Sequence, residues 1–245
     1  MGVALAVRSL SKDFGGVRAV DGVDFDAEEG SVLGLIGPNG AGKTRLFNLV
    51  SGYLLPTRGT ISLFGRDVTR LPPFVLARLG VSRTFQVVRP FPRLSVLENA
   101  MVGSFLHHKS AAAAERHALS VLERMGLSRQ AELPASALTL AARKRLEIAK
   151  ALAVEPRLLL LDEVVAGLNP NEVAASIELI RGIRQSGVTF VIVEHILKVI
   201  LGLCDRVVVL DHGRKIAEGT APEVAANPEV IAAYIGSDDG SDGDA

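Results

Sequence analysis

Gly37, Gly42, Lys43 and Thr44 have the residue types and the spacing of a loop that binds phosphate groups. Glycines let successive backbone N–H groups turn inward around phosphate oxygens, and a following helix adds its positive N-terminal end. In such a loop the lysine reaches the β- and γ-phosphates and the threonine hydroxyl coordinates Mg²⁺. The alternative is a glycine-rich turn with an exposed lysine, but a predicted strand before the loop and a helical pattern after it favour phosphate binding. The predicted contact residues are Gly37, Pro38, Asn39, Gly40, Ala41, Gly42, Lys43, Thr44 and Arg45.

Two adjacent carboxylates, Asp162 and Glu163, end the apolar stretch RLLLLDE. Two acids at the end of a buried strand are costly unless a cation or a proton is shared. Asp162 is placed to hold Mg²⁺, usually through water, and Glu163 is the candidate that polarises an attacking water. Many strands simply end in an acidic turn, and this is the alternative for the pair. Together with the phosphate loop, the two acids predict hydrolysis of a bound triphosphate.

Short runs of Val, Ile and Leu predict the strands that position these residues. Apolar runs without alternation are typical of strands covered on both faces in an α/β sheet. Residues 210–219, LDHGRKIAEG, predict a hairpin turn that leads into another strand. The sequence TAPE at 220–223 predicts a capping box at the start of a short helix. The predicted strands are Leu5–Arg8, Val32–Ile36, Leu158–Leu161, Thr189–Val193 and Val207–Leu210.

Strand signals disappear between about Leu97 and Leu152, which predicts a helical insertion in the α/β core. Within it, residues 111–127 have Leu119, Leu122 and Met125 at helical spacing. The last ten residues, GSDDGSDGDA, are acidic and lack core residues, so we expect a disordered tail.

Composition limits the classes of function. The 245 residues suffice for one sizeable core of one or two lobes, and 27 basic residues balance 27 acidic ones. Neutral balance argues against bulk electrostatic binding of nucleic acid. Cys204 is the only cysteine, so no intrachain disulfide can form, which fits a reducing cytoplasm. No apolar run approaches the roughly 20 residues of a membrane span.

With these two motifs, residues 4–235 resemble the ATPase subunit of ATP-binding-cassette (ABC) transporters. The resemblance implies an α/β fold: a P-loop NTPase (RecA-like) core with a mixed sheet, an N-terminal antiparallel β part and an inserted α-helical subdomain. It implies that residues 1–90 and 153–235 form the nucleotide-binding core. Residues 91–152 would form the helical signature subdomain, and residues 236–245 the tail.

The resemblance also gives roles to residues that carry no specific signal alone. Gln86 matches the glutamine that joins core and helical lobe and touches Mg²⁺. His195 matches the histidine that contacts the γ-phosphate, and Phe14 the aromatic that stacks on adenine. AGLNP at 166–170 matches a loop that crosses the dimer interface, with Asn169 where many relatives have Asp. His107, His108, His117 and His212 lack metal-ligand spacing with carboxylate support, so we expect them to be surface residues.

The stretch ALTLAARKRLEIAKALA at 137–153 aligns with the family signature L-S-G-G-Q but contains no glycine. In the family, the serine hydroxyl and the glycine N–H groups contact the γ-phosphate bound by the other subunit. Thr139 keeps a hydroxyl and Ala141 keeps its N–H, while the Ala141 Cβ restricts close approach of the backbone. Our hypothesis is a weakened but working composite site; the alternative is a signature that no longer supports hydrolysis. We expect the basic cluster at 143–145 to need no ligand, as on a solvated helix face.

Three segments, at 80–103, 145–173 and 202–224, are similar to ATPases of branched-chain amino-acid importers, a branch that includes amide or urea importers. Membership implies a Mg²⁺-dependent ATPase, peripheral at the cytoplasmic face of the membrane. The implied partners are permease subunits, a second ATPase subunit (identical or not) and, indirectly, an extracytoplasmic solute-binding protein, with no nucleic acid. The segment containing Pro90, Phe91, Pro92 and Leu94 would meet the permease, although core packing explains its apolar character equally well.

Two other functions compatible with the same motifs stay open. One is a soluble ABC ATPase without a transport role, such as a translation or repair protein, although those usually carry paired cassettes or long insertions. The other is a nucleotide-switched dimerisation module with little hydrolysis.

Overall fold

The computed structural model describes residues 2–85 and 90–238, which divide into two compact units. The first unit is made of Met1–Pro73 and Thr189–Ala245, and the second unit, Phe74–Val188, is inserted between these segments. In chain order the elements are β1 (Val3–Phe14), β2 (Val17–Glu28), β3 (Val32–Ile36), α1 (Lys43–Val50), β4 (Arg58–Leu63), β5 (Arg66–Asp67), α2 (Pro73–Arg78), β6 (Val81–Arg83), α3 (Val96–Ser104), α4 (Ala111–Arg124), α5 (Leu140–Leu152), β7 (Leu158–Asp162), α6 (Pro170–Arg184), β8 (Thr189–Val193), α7 (Leu197–Leu203), β9 (Arg206–Asp211), β10 (Arg214–Gly219), α8 (Ala221–Ala225) and α9 (Pro228–Asp238).

The first unit contains two sheets. Strands β2, β1, β4 and β5 form an antiparallel sheet in that order. In the other sheet β3 lies between β8 and β9 and is parallel to both, and β10 pairs antiparallel with β9. The predicted N-terminal antiparallel part, mixed sheet and terminal hairpin are confirmed. Strand β1 is longer than the predicted run because its pairing continues through bulges to Phe14.

Apolar side chains on both faces of the mixed sheet explain why its strands have no alternating pattern. All five residues of β8 are buried, as are Leu33 and Leu35 of β3. Helix α1 buries Leu46 and Phe47, while its polar residues Thr44 and Arg45 stay exposed. The capping box predicted at residues 220–223 is present at the start of α8.

The second unit pairs β6 with β7 in parallel and packs α3 against α4 and α5. The α3–α5 contact is close: a Cβ at Gly103 would lie 2.7 Å from the carbonyl oxygen of Lys150. Of the three apolar residues at helical spacing, Leu122 and Met125 are buried and Leu119 is 39% exposed. The buried face of α4 instead contains Ala114, Ala118 and Val121, because small residues allow the neighbouring helices to approach.

Two boundaries of the predicted organisation can be compared with the structure. Helix α9 is described to Asp238, and the disordered tail expected at residues 236–245 stays a prediction. Helices α3, α4 and α5 all fall within the expected helical subdomain 91–152, but the second compact unit also includes β6 and β7. Among the described residues, no helix has the length and apolar character needed to cross a membrane.

Candidate functional site

The phosphate loop connects β3 to α1, and glycine is required at two of its positions by space as well as by dihedral angle. Gly37 has φ +148°, and a Cβ there would lie 2.1 Å from the Leu210 carbonyl oxygen. Gly42 has φ +101° and forms the N-cap of α1, where a Cβ would lie 3.0 Å from the Ala19 carbonyl oxygen. The close approach of backbone to backbone therefore sets the path of the loop.

The groups around this loop fit an anion. The Lys43 ammonium donates to the carbonyl oxygens of Gly37 at 2.6 Å and Pro38 at 2.9 Å, so a cation lies against the loop. Helix α1 has no acidic residue in its first turn, and Gly42 has no side chain that could cap its N–H groups. The first N–H groups of a helix have no acceptor within the helix. Asn39 and Gly40, at the tip of the loop, are exposed.

Contacts from the C-terminal part of the first unit support the phosphate loop. The Gly213 N–H donates to the Ala41 carbonyl at 2.9 Å, which ties the β9–β10 turn to the loop. The Tyr234 hydroxyl, on α9, hydrogen-bonds the backbone of Gly37. Burial raises the pKa of Tyr234, and this hydrogen bond opposes the rise. Nothing in the local sequence around residues 213 and 234 predicts these roles.

Phe14 and His195 are both accessible in the first unit. Phe14 ends β1, is 43% exposed and has the Lys12 ammonium 5.0 Å from its ring centroid. His195 is exposed and follows β8 after the buried Glu194. It lines an apolar cavity of about 330 Å³ together with Ile36 and Tyr234. Both side chains can therefore contact a ligand.

Asp162, in the second unit, ends β7 and is only 3% exposed. Its Oδ2 accepts a hydrogen bond from Arg83 Nη2 at 3.1 Å, and its N–H donates to Thr84 Oγ1 at 3.1 Å. A cation that the buried Asp162 carboxylate requires is thus present in the chain itself. Sequence reasoning missed Arg83, which lies 79 residues before Asp162 and carries no motif.

Glu163 has φ +47°, a left-handed backbone conformation that is unfavourable for a residue other than glycine. Its side chain is partly exposed. Its carbonyl oxygen accepts from the Ala166 N–H at 3.3 Å and from the Lys144 ammonium at 2.9 Å. Strained backbone of this kind concentrates at functional sites, so the conformation supports the predicted role.

The altered signature forms the start of α5. Thr139 is the exposed N-cap, and its hydroxyl accepts from the Ala142 N–H at 3.3 Å. Ala141, in the first turn, is partly exposed. The expectation that residues 143–145 form a solvated face is wrong for Lys144, which is 7% exposed because its ammonium reaches back to Glu163. Sequence reasoning missed this lysine.

The loop at 166–170 leads into α6, and Asn169 caps that helix. Its side-chain oxygen accepts from the N–H groups of Asn171 and Glu172, each at 3.0 Å, and Glu172 accepts from the Asn169 N–H. Asparagine and aspartate cap helices about equally well, so the departure from the family residue preserves the cap. Gln86, predicted to touch Mg²⁺, lies outside the described residues.

Comparison with known proteins gives two family matches and a set of similar proteins. Residues 20–166 match the family described as ABC transporter, and residues 214–240 match the family described as branched-chain amino acid ATP-binding cassette transporter. The high-affinity branched-chain amino acid transport ATP-binding protein LivG of Salmonella typhimurium is 40% identical, covering 95% of this chain and 97% of that protein. The corresponding BraF protein of Pseudomonas aeruginosa is 39% identical with the same coverage.

Solved structures are similar over nearly the whole chain. An ATP-binding cassette of an ABC transporter in its ADP conformation is 30% identical, with a TM-score of 0.88 over 96% of this chain and all of that one. A nucleotide-free ATP-binding cassette is also 30% identical, with a TM-score of 0.87 over 95% of this chain and 98% of that one. The predicted P-loop NTPase fold is thereby confirmed.

Proposed function

The chain belongs to the ABC transporter family, and from that premise we propose that it is the ATP-hydrolysing subunit of an importer for branched-chain amino acids or related small polar solutes. The observation that carries the ATPase assignment is the phosphate loop, with its lysine and its uncapped helix start. The branch assignment is supported by residues 214–240 and by relatives matched over 95% of the chain. We place the subunit at the cytoplasmic face of the membrane.

In this proposal each predicted site residue has the role that the family resemblance gives it. The phosphate loop, with Lys43, holds the phosphates, and His195 contacts the γ-phosphate. Glu163 orients the attacking water and accepts its proton. Catalysis then consists mainly of positioning and of charge stabilisation. Phe14 stacks on the adenine.

The donor set also fits Mg²⁺. The Thr44 hydroxyl is exposed in the first turn of α1, and Asp162 offers a carboxylate beside Arg83. Oxygen ligands of this kind are those that Mg²⁺ prefers. Together with Gln86 they would hold the ion, which when bound neutralises charge on the β- and γ-phosphates.

Two chains are proposed to sandwich two ATP molecules head to tail, each contributing Thr139 and Ala141 to the other's nucleotide. A hydroxyl has one proton and two lone pairs. The Thr139 oxygen accepts from Ala142, so its proton remains for a phosphate oxygen. The Ala141 N–H lies in the first turn, where no acceptor within the helix exists.

A groove in the second unit fits a permease segment. Phe91 is 48% exposed, which favours docking over core packing for the segment at 90–94. The buried Asn99 shapes this segment by donating to the Phe91 carbonyl at 3.0 Å and accepting from its N–H at 2.8 Å. The groove of about 590 Å³ is lined by Phe85, Phe91 and Val102, with Glu147 and Lys150 paired at its side.

Reconstitution in proteoliposomes tests the proposal. The chain, its co-purifying permease and a binding protein loaded with leucine should hydrolyse ATP faster than without the binding protein and should accumulate leucine. Chelation of Mg²⁺ should stop both. If the chain dimerises with ATP but shows no Mg²⁺-dependent turnover, it is a nucleotide-switched dimerisation module. If it hydrolyses ATP but no permease co-purifies with it, it is a soluble ATPase without a transport role.

A further inference from the structure

Two histidines and a glutamate from three separate segments converge at one edge of the second unit. His108 lies in the α3–α4 connection, His117 lies on α4, and Glu155 lies in the α5–β7 connection. One ligand atom from each lies within 4.8 Å of the other two. The expectation that these histidines lack carboxylate support is therefore wrong, because Glu155 is remote in sequence but adjacent in space. We propose that His108, His117 and Glu155 form a zinc-binding site.

The distances suit a small tetrahedral ion. Glu155 Oε1 lies 2.7 Å from His108 Nε2 and 3.6 Å from His117 Nε2. With Zn–N and Zn–O bonds near 2.0–2.1 Å, ligand atoms in a tetrahedral site are about 3.3 Å apart. The two separations from Glu155 Oε1 bracket that value.

A buried hydroxyl orients one of the imidazoles. Ser104 is fully buried, and its Oγ lies 2.9 Å from His117 Nδ1 and 3.4 Å from the Ala100 carbonyl oxygen. A hydroxyl proton directed at Ala100 leaves Oγ as the acceptor for Nδ1–H. His117 Nε2 then carries its lone pair toward Glu155. Metal-binding histidines characteristically have such a partner on the second nitrogen.

The charges of the cluster also favour a divalent cation over an ion pair alone. The two imidazole rings are 4.5 Å apart between centroids, so two imidazolium charges would repel each other. The pKa of His117 is lowered on balance, and burial is the main cause. The charge of Glu155 opposes this shift, while His108, His107 and Arg124 add to it. Two neutral imidazoles that share a divalent cation avoid the repulsion between two imidazolium charges.

Two imidazoles and one carboxylate form a set that suits Zn²⁺, with water completing the coordination. Glu155 has φ +54° and is partly accessible, with 46% of its side chain exposed, so the ion can enter from solvent. A bound ion would tie the α3–α4 connection, α4 and the α5–β7 connection together.

Zinc titration of the metal-stripped full chain, without nucleotide, tests the site. Calorimetry should give one ion per chain with micromolar or tighter affinity. The melting temperature should rise by roughly 5–10 °C when free zinc is about 100-fold above Kd. His108→Gln, His117→Gln and Glu155→Gln should each weaken binding by about tenfold or more. His107→Gln, one residue from the cluster and exposed, should bind as the wild type does.

Cobalt substitution supplies a second readout that does not depend on stability. Intense visible absorption bands typical of four-coordinate Co²⁺ should appear with the wild type and be lost with Glu155→Gln, whose far-ultraviolet circular dichroism should match the wild type. Absence of zinc binding at micromolar concentration would overturn the proposal. Equal affinity in the wild type and all three cluster variants would also overturn it, because the ion would then be bound elsewhere.

Discussion

The Lys144 ammonium donates a hydrogen bond of 2.9 Å to the backbone carbonyl oxygen of Glu163. Lys144 is on the helix that begins at the altered signature, and Glu163 is the proposed base. The bond therefore joins the helix that we propose contacts a partner's nucleotide to the backbone of the proposed base. Since Lys144 acts through Glu163, we consider it a positioning residue.

Lys144→Met keeps the aliphatic stem and removes the charged donor. We expect kcat to fall by about tenfold, equivalent to about 1.4 kcal/mol of barrier, with a smaller change in the KM for ATP. We also expect a loss of roughly 1.5–3 kcal/mol in unfolding free energy. Steady-state ATPase assays and urea unfolding measure both quantities. Lys198→Met, at an exposed position of α7, is the matched control; equal effects in the two variants would refute the positioning role.

The locations of helices and strands were largely predictable from the sequence, whereas side-chain contacts such as that of Lys144 with Glu163 were not. Val32–Ile36 and Thr189–Val193 match the observed strands at every residue, because uninterrupted apolar runs flanked by turn signals have few other solutions. The phosphate loop was equally predictable from the sequence, because a Cβ at Gly37 or Gly42 would meet a neighbouring backbone carbonyl oxygen.

Arg83–Asp162, Lys144–Glu163 and the His108–His117–Glu155 cluster join segments that are far apart in the chain. A single sequence gives no signal for which basic residue will reach which acid, because charged residues are usually solvated. Burial explains the first two contacts, because the buried charges of Arg83 and Lys144 need partners. These partners become visible only when the fold brings the segments together.

Ala141 stands where the family signature has glycine, so restoring glycine there should increase ATP turnover. Ala141→Gly removes the Cβ that limits backbone approach, so ATP turnover should rise by a few-fold, while helix stability should fall by roughly 0.5–1 kcal/mol. Thr139→Val should lower turnover and lose about 1 kcal/mol from the cap, whereas Thr139→Ser should preserve both. Turnover assays and thermal unfolding distinguish these variants. Unchanged turnover in both Ala141→Gly and Thr139→Val would rule out the composite site.

Gly37→Ala tests the steric basis of the phosphate loop. The new Cβ would meet the Leu210 carbonyl oxygen at 2.1 Å, so the backbone must shift. We expect a loss of roughly 1–3 kcal/mol in stability, together with weakened binding of a fluorescent ATP analogue. The control is Gly182→Ala, in the exposed face of α6, where a Cβ meets no atom within 4 Å. That variant should gain up to about 1 kcal/mol; a similar loss in both would contradict the steric account.

Cys204 should be nearly inert to alkylation. Burial, with smaller contributions from Asp205 and Glu194, raises the pKa of its thiol to about 12. An unfolded thiol has a pKa of about 8.5, so only the unfolded state ionises between these values and stability should fall as the pH rises through this window. Iodoacetamide at about pH 8 should modify the folded chain far more slowly than the guanidinium-unfolded chain. Equal rates would disprove a partly buried thiol that stays protonated in the folded chain.

The assignment of ATP hydrolysis to this chain is best tested with two variants, one that affects nucleotide binding and one that affects only the hydrolysis step. Lys43 contacts the phosphate loop, so Lys43→Ala should lose nucleotide affinity. Glu163 lies outside the loop, so Glu163→Gln should bind ATP with near wild-type affinity.

The most direct measurement is therefore ATP turnover by Glu163→Gln at saturating Mg²⁺ and ATP, alongside equilibrium ATP binding by the same preparation. A fall in turnover of roughly 10²–10⁴-fold with binding retained is the predicted result, since that is the range that a general base contributes. Turnover equal to that of the wild type would contradict the assignment of Glu163 as the base.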